Sequence, residues 1–137
     1  MADIFLSYAR EDRDRARIIA RLFESGGWTV FWDASIKASA EWRSVLESEL
    51  DKAGAVVVLW SRQSIASSWV TEEAERGRLR LVSVRIDDVA IPLGFGQLQA
   101  VDLVNWRGGR KAEVDALVAA VAATLNAPPP RLSLIHI

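Results

Sequence analysis

One apolar run restricts the architecture more than any other feature. Ala55-Val56-Val57-Val58-Leu59-Trp60 carries no polar residue. A strand with one wet face would alternate, so this run predicts a strand covered on both sides. The rest of the chain alternates short apolar runs with helical stripes. Ile4-Phe5-Leu6 reads as a buried strand, ended by the polar Ser7-Tyr8-Ala9-Arg10-Glu11-Asp12. Ala16, Ile19, Leu22 and Phe23 then recur at helical spacing until Gly26-Gly27 stops them. Trp28-Thr29-Val30-Phe31-Trp32 is aromatic and β-branched, a strand signal. After a polar loop over 33–41, Trp42, Val45, Leu46 and Leu50 form the next helical stripe.

Beyond the central run, Ser61, Ser64, Ser67 and Ser68 supply caps around the start of a helix expected over roughly 65–80. Leu81-Val82-Ser83-Val84-Arg85-Ile86 is the fourth strand, and 87–99 is a long loop with Pro92, Gly94 and Gly96. A weak edge strand is expected at 100–103. The last amphipathic helix carries Val114, Leu117, Val118, Val121 and Leu125. Strands alternating with helices predict a parallel sheet with helices on both faces. The expected fold is a three-layer α/β sandwich, flavodoxin-like, with a five-stranded sheet of order 2-1-3-4-5. One domain is expected over 1–127. Pro128-Pro129-Pro130 reads as a stiff linker toward a further domain, and 131–137, without periodicity, as an assembly scar or a truncated join.

Composition removes several function classes. Lys and Arg total 17 against 18 Asp and Glu, a net charge of -1; no overall field draws the chain to nucleic acid or an anionic membrane. The absence of cysteine excludes disulfides, thiolate nucleophiles and Cys-based metal sites. The one histidine, His136, lies next to the last residue, which excludes histidine catalysis and a His-rich metal site from the folded body. No apolar run approaches the ~20 residues of a membrane span. No secretory signal follows Met1, so the expected location is the cytoplasm.

Open α/β sheets bind ligands beyond the carboxyl ends of their strands, where strand order reverses. The segments available there are 7–12, 33–41 and 61–69. Trp69 and Glu73, at i and i+4, share a helix face. The indole offers a stacking surface; the carboxylate, expected in an early turn favoured by the helix dipole, can stabilise a developing cation. The same pair also reads as a core tryptophan beside a solvated glutamate. In Tyr8-Ala9-Arg10, the arginine suits a phosphate, or an ion pair with Glu11, Asp12 or Asp14. Trp32-Asp33-Ala34-Ser35-Ile36-Lys37 offers Asp33, Ser35 and Lys37 to a ribose and phosphate, though any exposed loop holds such residues. The absent motifs narrow the field further. The third strand ends Leu59-Trp60-Ser61 without a phosphate-accepting aspartate, against a response-regulator receiver. Neither a P-loop nor a Gly-x-Gly-x-x-Gly turn is present, and there is no Gly-x-Ser-x-Gly elbow.

Together these segments resemble a TIR (Toll/interleukin-1 receptor) domain of bacterial type, from Asp3 to about Ala127. The landmarks are Asp3-Ile4-Phe5-Leu6-Ser7-Tyr8-Ala9-Arg10-Glu11-Asp12, then Val30-Phe31-Trp32-Asp33 leading into the family's BB loop, then Val56-Val57-Val58-Leu59-Trp60-Ser61. Ser64-Ile65-Ala66-Ser67-Ser68-Trp69-Val70-Thr71-Glu72-Glu73 follows, and Ile86-Asp87-Asp88 with Ile91-Pro92-Leu93-Gly94-Phe95 closes the series. The resemblance implies hydrolysis or cyclisation of NAD⁺, with Glu73 as the catalytic glutamate four residues after Trp69. It implies substrate contacts from Tyr8, Ala9, Arg10, Trp32, Asp33, Ser35, Lys37 and Trp69. NAD⁺ is then substrate, with no resident cofactor and no metal. It further implies self-association with other TIR domains, a fused sensing or oligomerising domain, and a role as effector or signal generator in bacterial immunity. The alternative is a non-catalytic scaffold acting through TIR–TIR contacts. One departure stands out: Ser39 and Ala40 occupy a stretch where family BB loops often carry glycine, which implies a stiffer or re-aimed loop.

Overall fold

A computed structural model describes residues 2–32, 40–95, 99–106 and 112–126, the side chains of 40–42 and 99 excepted. The strands are β1 (Ile4–Ser7), β2 (Val30–Phe31), β3 (Ala55–Trp60), β4 (Leu81–Arg85) and β5 (Gln99–Asp102). They form one sheet of order β2-β1-β3-β4-β5, every pairing parallel. This is the doubly wound order expected from the alternation of strands and helices.

The central run behaves as its composition requires. All of β3 is buried, and its side chains divide between two cores. Ala55, Val57 and Leu59 face α1 (Arg13–Ser25) and α4 (Ala112–Leu125), whose Ile19, Leu22, Phe23, Leu117 and Val121 complete one layer. Val56, Val58 and Trp60 face α2 (Ala40–Lys52) and α3 (Ser68–Arg76) through Leu46, Leu50, Val70 and Ala74. Alternation along β1 follows the same rule: Ile4 and Leu6 join the first core, and Phe5 joins the second.

Several boundaries differ from the sequence reading. The helix expected over 65–80 is a 3-10 turn at Ser64–Ala66, then α3, then a second 3-10 turn at Arg78–Arg80. Ser67 sets the start of α3, its hydroxyl accepting from the Val70 amide at 3.2 Å. Gly77 ends it, pressed so close to the sheet that a Cβ there would stand 2.6 Å from a Val56 methyl. Gly77→Ala should therefore cost about 2 kcal/mol through displacement of a fully buried strand residue, as a lower urea midpoint at unchanged slope would record. Val45, expected on a buried stripe, is 44% exposed, while Leu46 and Leu50 turn inward from α2. Strand β2 is shorter than its aromatic run, since the Thr29 amide goes to the Asp3 carboxylate at 3.0 Å. Gly27, at φ +96°, turns the chain from α1 toward β2.

Candidate functional site

The strand order reverses between β1 and β3, and the candidate site is built on their carboxyl ends. Ser7 is the last residue of β1, in register with Val58 of β3. Two positions on from Phe5, it falls on the sheet face that carries α2 and α3. There it meets Glu73 of α3: the Ser7 hydroxyl donates to Glu73 Oε1 at 2.6 Å, and both residues are buried.

Glu73 differs from its sequence reading in two respects. It lies past the first turn of α3, which holds no acidic residue, so the helix dipole does not favour its charge. It is also only 7% exposed rather than solvated. Burial pushes its carboxyl up from an ordinary 4.5 to about 7. Hydrogen bonds from Ser7 and Trp69 oppose that rise, and the charge of Glu72 adds slightly to it. At neutral pH the site thus holds a carboxyl close to half ionised, a state that solvent exposure would not allow.

Trp69, one turn before Glu73, is half-buried against the second core. The guanidinium of Arg43, from α2, lies 5.2 Å from the centre of its ring. Tyr8 spans the other side of the switch point, its hydroxyl donating to the Trp32 carbonyl at 2.6 Å. This bond fixes the place where the chain leaves β2 toward residue 33. Ala9 is buried, and the exposed Arg10 opens a 3-10 turn (Arg10–Asp12) whose last residue is buried. Asp33, Ser35 and Lys37 lie outside the described residues.

The structure thus brings Glu73, Trp69, Ser7 and Arg43 into one group and joins Tyr8 to Trp32 in a second. Sequence reasoning passed over Ser7 and Arg43. Ser7 carried a signal, a hydroxyl at the end of the first strand; Arg43, on the first turns of a helix after a loop, carried none.

A polar network, buried at Asp12, Ser61 and Ser64 and partly exposed at Arg15 and Asp87, stands behind this edge. Asp12 accepts from Arg15 Nη2 at 2.5 Å and from the Ser61 hydroxyl. Arg15 also reaches Asp87 Oδ1 at 2.7 Å, and the Arg62 amide donates to Asp87 Oδ2 at 2.9 Å. The Arg15 guanidinium holds the Asp87 carboxyl down at about 2. Ser64 completes the network by donating to the Leu59 carbonyl at 2.7 Å and accepting from the Ser61 amide at the same distance. The start of α1 and the ends of β3 and β4 are tied together by this set. Among the described residues no cluster of His, Asp and Glu is placed to hold a metal ion, and no helix is long and apolar enough to cross a membrane.

A five-stranded doubly wound domain with a buried carboxyl at its switch point is the class that fold and site define. The family follows from comparison: a profile of the TIR domain matches residues 4–118, and the chain belongs to that family. Among solved structures, it is similar to the TIR domain of the Toll-related receptor TRR-2 from Hydra magnipapillata. That match has 13% identity over 74% of this chain and 84% of the other, at a TM-score of 0.66. It is also similar to a metazoan TIR-STING receptor from C. gigas, solved in complex with 2′,3′-cGAMP. There the identity is 22% over 88% of this chain and 39% of that one, at a TM-score of 0.68. At these identities the two structures bear on the fold alone. Comparison with curated proteins returned no match.

Proposed function

We propose that this TIR domain cleaves the nicotinamide–ribose bond of NAD⁺, with Glu73 as the catalytic carboxylate. The observation that carries the reading is the placement of Glu73: buried at the switch point, hydrogen-bonded by Ser7, one helical turn from an aromatic stacking surface. In NAD⁺ the pyridinium is already cationic, so nicotinamide leaves with the bonding electron pair and needs no general acid. An oxocarbenium-like ribose remains, and an ionised carboxylate in a poorly solvated setting stabilises that charge. Water adds at the anomeric carbon and loses a proton to give ADP-ribose, or the adenine of the same molecule adds and closes a ring. Trp69 already holds one planar cation, the Arg43 guanidinium, over its ring. A face that suits one planar cation suits another, and the nicotinamide ring of NAD⁺ is one. Displaced Arg43 is then available to the pyrophosphate, as are Arg10, Asp33, Ser35 and Lys37 to the rest of the dinucleotide. On this reading the protein is an effector or signal generator, as in bacterial immunity.

A second reading, a scaffold acting through contacts between TIR domains, is favoured by one observation. Leu79 and Leu93 are 99% and 95% exposed, on two turns tied together where Arg78 donates to the Gly94 carbonyl. The two readings separate in one assay. Purified protein, free and fused to a self-assembling scaffold, is incubated with NAD⁺ and the products are chromatographed. The expected result is nicotinamide with ADP-ribose or its cyclic form, with turnover at least ~10-fold faster when clustered, because multivalent display raises effective concentration. NAD⁺ left intact by the clustered protein would overturn the catalytic reading and leave the scaffold.

A further inference from the structure

We propose that Ser7 is the positioning residue of this site, its buried hydroxyl holding the Glu73 carboxylate in the orientation and charge state that the reaction needs. The proposal deepens the catalytic reading and rests on it. Ser7 is 2% exposed, so it does not meet a substrate, and its hydroxyl spans the 2.6 Å between strand and helix. A hydroxyl can donate to a carboxylate or accept from a carboxylic acid, and the direction observed is donation to Oε1. Donation favours the ionised form, and it fixes one carboxylate oxygen against the sheet edge. Since β1 is held by β2 on one side and β3 on the other, the donor sits on a rigid support.

The surroundings leave Ser7 as the principal compensation. On α3 the nearest charge is Glu72, which opposes ionisation of Glu73. From α2, Arg43 lies over the Trp69 ring, while Glu47 and Asp51 pair with Arg76 at the far end of α3. β1, β3 and the turn at Ser64–Ala66 present no charged residue to this face. The Trp69 hydrogen bond is the smaller of the two that oppose burial.

The test separates this proposal from the catalytic reading by including a measurement that needs no turnover. Side-chain carboxyl carbons of ¹³C-glutamate-labelled protein are titrated by NMR, with the Glu73 signal assigned by its loss in Glu73→Gln. In Ser7→Ala the Glu73 midpoint should rise by ~1 pH unit, and Ser7→Thr, which keeps the hydroxyl, should return it toward the parent value. In NAD⁺ cleavage, the acidic limb of the kcat profile should move with it. Turnover of Ser7→Ala should be at least about fivefold lower at pH 7 and recover only in part above pH 9, where the charge is restored and the orienting bond is not, with KM unchanged. An unmoved midpoint in a folded Ser7→Ala protein overturns the proposal, as does a Ser7→Thr midpoint that stays with the alanine variant. A midpoint that moves in a protein without turnover overturns the catalytic reading and leaves the role of Ser7 in setting the charge of Glu73 standing.

Discussion

Glu73→Gln should release no nicotinamide and yet melt well above the parent at pH 8. Both halves follow from one carboxyl. Loss of the stabilising charge should lower turnover at least ~100-fold, the range found when one preorganised electrostatic partner is removed. Glu72→Ala, an exposed neighbour about 100° away around the helix, should keep most activity. The stability half depends on the sign of the shift. Glu73 has its carboxyl raised from 4.5 to about 7 in the folded state. Between those values the folded chain keeps a proton that the unfolded chain releases. Stability from this residue is therefore fully present below pH 4.5, declines as pH rises, and is lost above about 7. The gap corresponds to about 3 kcal/mol, at roughly 1.4 kcal/mol per pH unit. Glutamine removes that cost and still accepts from Ser7. The melting temperature at pH 8 should thus rise on the order of 10 °C, with little change at pH 5. Glu73→Ala should gain less, since it leaves the Ser7 hydroxyl buried without its acceptor. Equal melting of parent and Glu73→Gln at pH 8 would mean that Glu73 ionises in the fold without penalty.

The same residue marks how far the sequence could be read. Strand β3 was legible because burial on both faces leaves no room for a polar residue, and that requirement is local. Sheet order followed from the alternation of strand and helix, which limits the crossovers to very few. Trp69 and Glu73 were legible as a pair because i, i+4 spacing is a property of the helix alone. The burial of Glu73 was not, because it depends on Ser7, 66 residues earlier in the chain. The division of the helix expected over 65–80 into three pieces was hidden for a similar reason. Four nearby serines could each have capped it, and only the pressure of Val56 on Gly77 fixes the other end. Among the charges after β1, spacing left Arg10 to pair with Glu11, Asp12 or Asp14. The structure gives Asp12 instead to Arg15, one turn into α1, and leaves Arg10 exposed.

That pairing should make Asp12→Ala one of the most destabilising single changes outside the apolar core. Asp12 is 2% exposed, yet it accepts from the Arg15 guanidinium and from the fully buried Ser61 hydroxyl. Alanine would leave Ser61 without that acceptor and Arg15 with only Asp87 and the Ile86 carbonyl. Arg15 is partly exposed and keeps Asp87, so the cost comes mainly from the buried Ser61 hydroxyl left without its acceptor and from one lost charge-assisted bond, about 2 kcal/mol together. Asp12→Asn should lie between, since its amide oxygen can serve one donor but carries no charge. Asp14 supplies the control. It lies two positions away, with its side chain 93% exposed and 3.9 Å from Arg17, so Asp14→Ala should change stability by no more than about 0.5 kcal/mol. The functional consequence follows from position: Asp12 ties the turn after β1 to the end of β3, beside the switch point. Urea midpoints at pH 7.5 for the three variants, read at constant slope, would check the order Asp14→Ala, Asp12→Asn, Asp12→Ala. If Asp12→Ala unfolded no more readily than Asp14→Ala, the network at the carboxyl edge would contribute nothing to holding the site.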